Sequence, residues 1–133
     1  MSNVWKEYNP NPDNKRASDC VIRAITKALE MSWEEVYLEL LIHGFKLKDM
    51  PSINHVWGSY LQSKGFTRQV IPNTCPDCYT IHKFANDHPE GAYILATGSH
   101  AVAVVNGNYY DTWDSGEEIP IYYFERGLDN GRL

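Results

Sequence analysis

Apolar positions follow two rhythms along this chain. Up to about residue 64 they recur at helical spacing; beyond residue 66 they come in short runs broken by turn formers. Val21, Ile22, Ala24, Ile25, Ala28 and Leu29 form a broad stripe. It predicts a first helix starting near Ser18-Asp19-Cys20, with Ser18 or Asp19 capping the first turn. Ser32-Trp33-Glu34-Glu35 has capping-box spacing and predicts a second helix. Val36, Leu40 and Ile42 supply its apolar positions, Trp33 and Tyr37 an aromatic side, and Gly44 its stop. A third helix is expected from about Ser52 to Lys64, ended by Gly65, with Ile53, Val56, Trp57, Tyr60 and Leu61 on its apolar face. Residues 1–17 read as irregular, because Asn9-Pro10-Asn11-Pro12-Asp13-Asn14 is dense in turn formers.

The second half reads as short strands. Phe66–Ile71, Ala92–Ala96 and Ile119–Phe124 are each expected to be one, the last with Pro120 in an edge-like position. Tyr79–Asp87 reads as a short helix, and Glu125–Leu133 as a polar, frayed tail. Ser99 to Asp114 reads as a β-hairpin, because two apolar runs flank Asn106-Gly107, the dipeptide suited to a type I′ turn. That turn sets Val105 opposite Asn108, Val104 opposite Tyr109, Val102 opposite Asp111 and His100 opposite Trp113. The order of elements predicts an α+β fold, with N-terminal helices packed on a C-terminal antiparallel sheet.

Composition narrows the class. The 133 residues, 43% of them hydrophobic, suit a single domain over 1–133 with one core. No apolar run is long enough to span a membrane, and the N-terminal stretch has no apolar signal core. Three cysteines suggest no disulfide framework, which points to a reducing, cytoplasmic setting. A net charge of −5 with scattered basic residues argues against a nucleic-acid surface. Nothing in the composition sets an oligomeric state.

Candidate chemistry centres on the hairpin. Alternation puts His100, Val102 and Val104 on one face with Tyr109, Asp111 and Trp113. Asp111 is then the diagonal neighbour of His100, at about 5–8 Å between Cβ atoms, within carboxylate-to-imidazole reach. A longer loop would shift the register and bring Asp114 forward instead. Such a pair lacks only a nucleophile, and Cys20 is the candidate. In the first turn of a helix, unpaired N–H groups favour a thiolate, while Asp19 opposes it; a protonated His100 would supply the larger shift. The plainer alternative makes Cys20 a small core residue and His100 an ordinary strand start. Trp57, Trp113, Tyr109 and Tyr110 are candidates to line a cleft or to pack the core. His43 and His55 read as surface or structural. Cys75-Pro76-Asp77-Cys78, with His82 and His88, falls near zinc-site spacing; the alternative is a polar loop with two reduced thiols.

Asp19-Cys20-Val21-Ile22-Arg23-Ala24, then Gly91-Ala92-Tyr93-Ile94-Leu95, then His100-Ala101-Val102-Ala103-Val104 and Asp111-Thr112-Trp113-Asp114 together resemble the papain-like cysteine peptidase superfamily. The form is a minimal one, close to the bacterial and phage C39-like peptidases, and the likeness covers about residues 9–124, which it implies are the core of a single papain-like domain. The resemblance implies a Cys-His-Asp triad: Cys20 as nucleophile, His100 as general base and acid, Asp111 orienting the imidazole. It also implies an oxyanion donor about six residues before the cysteine. That position is Asn14, where the superfamily usually has Gln; the Cys20 N–H is the natural second donor. The implied activity is that of a cysteine peptidase or thiol amidohydrolase, cleaving peptide, isopeptide or side-chain amide bonds in a protein or peptide substrate, with no cofactor required. The alternatives are a non-catalytic binding module on the same fold and a small interaction protein stabilised by structural zinc.

Overall fold

The computed structural model describes residues 4–72 and 79–126. Among these the protein is α+β. In chain order the elements are β1 (Trp5–Glu7), α1 (Cys20–Leu29), α2 (Trp33–Leu47), α3 (Asn54–Ser63), β2 (Phe66–Val70), α4 (Ile81–Asp87), β3 (Ala92–Ala96), β4 (Ala101–Val105), β5 (Asn108–Asp111) and β6 (Tyr122–Arg126). The strands form one sheet in the order β1-β5-β4-β3-β6-β2.

The sheet is mixed rather than antiparallel. β1 lies parallel to β5, while the other neighbours are antiparallel. The expectation of an irregular N-terminus therefore fails at Trp5–Glu7, a stretch too short to show alternation. The last strand also starts later than expected, at Tyr122, and takes in Glu125 and Arg126 from the supposed tail.

Alternation along the central strands divides the core in two. Ile94, Ala96, Ala101 and Ala103 face the layer of α1, α2 and α3, with Ala24, Ile25, Leu40, Trp57 and Leu61. Leu95, Val102, Val104 and Tyr109 face α4, with Ile81, Phe84 and Ala85. The alanines on the first face let α1 lie close against β4.

The helix signals held in part. Ser32 and Glu35 form the capping box, each side chain bonding the other's backbone N–H at 3.1 Å. Gly44 does not end α2, which runs on to Leu47 and closes with Lys48 in the left-handed region. A Cβ at Gly44 would lie 2.8 Å from the Asp49 carbonyl oxygen. The glycine is there so that the chain after α2 can fold back against it. Ile42 and Ile53, expected on buried faces, are 52% and 41% exposed. The hairpin turn is as expected, with positive φ of 51° at Asn106 and 83° at Gly107.

Candidate active site

Cys20 opens α1, and His100 immediately precedes β4. Asp111 ends β5 beside Glu7 of β1. The register is the expected one: Val105 faces Asn108, Val104 faces Tyr109, and the paired segment continues to Ala103–Tyr110. Just past it, His100 Nε2 meets Asp111 Oδ2 at 2.6 Å. That leaves Nδ1 as the ring nitrogen free to face Cys20, whose thiol is close enough to His100 and the Ala101 N–H for both to favour its charged form. The Trp113 ring lies beside the imidazole, with centroids 5.4 Å apart. Asp114 does not contact His100. It accepts hydrogen bonds from the Tyr109 hydroxyl and the Gly116 N–H.

A second carboxylate and an arginine sit behind this row. Arg23 Nη1 binds Asp19 Oδ1 at 2.7 Å and Arg23 Nη2 binds Asp111 Oδ1 at 3.0 Å, with all three side chains buried. The Trp33 indole N–H donates to Asp19 Oδ2 at 2.9 Å, and Ser115 Oγ donates to Asp111 Oδ2 at 2.6 Å. Asp19 occupies the N-cap position of α1 but makes no side-chain cap. Its carboxylate is spent on Arg23 and Trp33, so the first-turn N–H groups of α1 carry no side-chain acceptor. The expected opposition of Asp19 to a Cys20 thiolate is offset by the guanidinium it holds.

These contacts set the protonation states. Burial pushes the Cys20 thiol up, but the His100 hydrogen bond, the Ala101 N–H and the charges of His100 and Arg23 outweigh it. The net shift is downward, toward a thiolate. For His100, burial favours the neutral ring, yet the Asp111 and Cys20 contacts prevail and raise it to about 9. Asp111 is raised by burial and lowered further by His100, Ser115 and Arg23, so it stays ionised.

The row faces an open cleft of about 790 Å³. Leu40, Trp57, Trp113 and Tyr122 are among its apolar and aromatic lining residues, and Arg16, Ser18, Ser99 and Thr112 among the polar ones. Of the aromatic residues considered from sequence, Trp57 and Trp113 line the cleft. Tyr109 is buried on the α4 face, and Tyr110 packs edge-on to Tyr8.

Asn14 lies in the loop between β1 and α1. It is exposed, at φ 58°, with Oδ1 3.4 Å from Asn9 Nδ2, and it is not among the cleft-lining residues. The turn that hydrogen-bonds Asn14 N to Asn11 O holds it in the preceding loop. The oxyanion role expected of it has no support in this arrangement.

The zinc reading falls partly outside the described residues, since Cys75 and Cys78 lie there. His82 Nδ1 lies 3.3 Å from Asn86 Nδ2. His88 stacks on Phe84 at 3.7 Å, with Nδ1 2.7 Å from the Phe84 carbonyl. Among the described residues no cluster of His, Cys, Asp and Glu could hold a metal. His43 contacts Ser59 Oγ at 3.0 Å, and His55 pairs with Asp49 at 3.2 Å, both structural or surface roles.

Arg23, Ser115 and Trp33 were not read from sequence as site residues. Arg23 had a signal: a charge inside an apolar helical run, four residues after Asp19. Ser115 had none, because a loop brings it to Asp111. No helix among the described residues is long and apolar enough to cross a membrane. Set against family models, curated proteins and solved structures, the chain has no match in any of the three.

Proposed function

We propose that this protein is a cysteine peptidase or related thiol amidohydrolase of papain-like type. The observation that carries the reading is the hydrogen-bonded His100–Asp111 pair with Cys20 beside it, a lowered thiol and a raised imidazole at the wall of an open cleft. Lone structural cysteines in apolar surroundings shift the other way.

In this reading the Cys20 thiolate attacks a substrate carbonyl carbon. The C=O π pair moves onto oxygen, and the Cys20 backbone N–H stabilises that oxyanion. His100 gives its proton to the departing amine as the C–N bond breaks, leaving a Cys20 thioester. Water then attacks the thioester with His100 taking its proton, and the acid departs as the C–S bond breaks. Asp111 holds the imidazole in place and stays ionised. The apolar and aromatic residues lining the cleft with Cys20 suit a substrate with an apolar side chain near the cleaved amide. The absence of Asn14 from the cleft favours one second reading, a binding module that keeps the pocket but turns over nothing.

The test is the rate of Cys20 alkylation by iodoacetamide across about pH 4 to 10, with the modified cysteine identified by peptide mass spectrometry. Fast labelling well below the ordinary thiol value of about 8.5, lost in His100→Ala, is the expected result. Slow labelling with an ordinary or raised profile, unchanged in His100→Ala, overturns the reading. An acyl adduct on Cys20 after mixing with an activated ester, released with time, separates the hydrolase from the binding module.

A further inference from the structure

The face of α2 turned away from Val36 and Leu40 is apolar and, among the described residues, uncovered. Leu38 is 56% exposed, Leu41 45%, Ile42 52% and Phe45 73%. Soluble monomers rarely leave a continuous apolar strip of this kind bare.

The strip has an order as well as a composition. Glu34, Leu38, Leu41, Phe45 and Lys48 follow one another at steps of four, three, four and three residues. That spacing keeps a row on one side of a helix and forms a packing seam. An acidic residue begins the row, three large apolar residues fill it, and a basic residue at the C-cap ends it. Read backwards, the row exchanges its charges and keeps its apolar middle. A second α2 laid antiparallel therefore sets Glu34 against Lys48 at both ends and Leu38 near Phe45, with Leu41 close to the two-fold axis. A parallel copy would place like charges together. Lys48 already lies over the Phe45 ring, its Nζ 4.5 Å from the centroid. Met50, shortly after the end of α2, is also exposed, at 64%.

We propose that α2 is a two-fold self-association surface, on which a second copy of this chain packs its own α2 antiparallel across Leu38, Leu41 and Phe45. A self-complementary row is what an isologous interface requires, because each residue must meet its counterpart's partner in both directions. The proposal stands whether or not the cleft is catalytic, since none of these residues belongs to the Cys20 site.

The test is sedimentation velocity on the full chain over about 10 to 500 µM, where a modest interface associates. A concentration-dependent dimer is expected. Leu41→Glu, at the axis, abolishes it. Glu34→Lys and Lys48→Glu each weaken it about tenfold, because both ends of the pair turn repulsive. An equimolar mixture of those two variants restores association, since lysine then meets glutamate at each end. Circular dichroism on every variant separates lost association from lost folding, and the charge variants carry the test if Leu41→Glu fails to fold. A chain that stays monomeric throughout overturns the proposal. So does a dimer indifferent to Leu41→Glu, or a mixture of charge variants that fails to re-associate.

Discussion

Asp111 accepts hydrogen bonds from His100, Ser115, Arg23 and the Thr112 N–H, so both carboxylate oxygens are fully engaged. Such a group cannot swing away from the imidazole without leaving several buried donors unpaired. If the proposed chemistry holds, Asp111→Ala lowers the acylation rate of Cys20 by a factor of the order of 10⁴. Asp114→Ala leaves it within about threefold, since Asp114 serves Tyr109 and Gly116 instead. Stopped-flow acylation with an activated ester compares the two. Arg23 acts through its neighbours. Removing it in Arg23→Met leaves Asp19 and Asp111 as buried carboxylates without their shared cation, which costs about 3–5 kcal/mol. It also moves the Cys20 alkylation profile to higher pH, because Arg23 is one of the charges that favour the thiolate. Arg23→Lys restores part of the profile, whereas a purely structural role for Arg23 leaves the profile in place. At this scale the sequence was informative about Cys20, His100 and Asp111, through helix-start and hairpin patterns. It was silent on Ser115, whose place depends on how a loop folds.

α2 shows an element whose local signals and tertiary role disagree. Glycine inside a helix is ordinarily about 1 kcal/mol worse than alanine, so Gly44→Ala would stabilise an isolated helix. Here an added Cβ meets the Asp49 carbonyl at 2.8 Å and the Pro51 nitrogen at 3.2 Å, both backbone atoms. The substitution is expected to lower stability by about 1–3 kcal/mol, read as a fall in the urea midpoint with an unchanged slope. The start of the same helix behaves as its sequence predicts, since a capping box closes within four residues. The hairpin is likewise local, and Asn106-Gly107 defines its register. β1 is the opposite case. Its three residues pair with Tyr109–Asp111, about a hundred positions away, and no local pattern reports such a partner.

The charges of the whole site make a prediction about stability and pH. His100 is held at about 9, above its unfolded value of about 6.5. Alone, it contributes stability that is fully present below about pH 6.5 and lost as pH rises through about 9. Cys20 is shifted downward, so its contribution is present above its unfolded pKa and lost as pH falls through its folded one. Across about pH 6.5 to 8.5 the two contributions run in opposite directions as pH rises, the His100 one falling and the Cys20 one growing. The thermal midpoint of the protein is therefore expected to vary less over this range than His100 alone would make it. In Cys20→Ser the His100 contribution is left uncompensated, and the midpoint falls as pH rises over that range. A calorimetric scan at several pH values checks both. The chain's own pattern determined that helices precede a sheet, where the capping box and the type I′ turn lie, and that a cysteine opens a helix while a histidine and an aspartate share a hairpin. These follow from side-chain periodicity and backbone preference, which act over a few residues. Only the tertiary structure decided that the Asp19 carboxylate is shared between Arg23 and the Trp33 indole of α2 instead of capping α1, that Asn14 is not among the cleft-lining residues, that β1 makes the sheet mixed, and that Leu38, Leu41 and Phe45 face outward. Each depends on which distant surface an element packs against, and a local pattern shows that a face is apolar without showing what covers it.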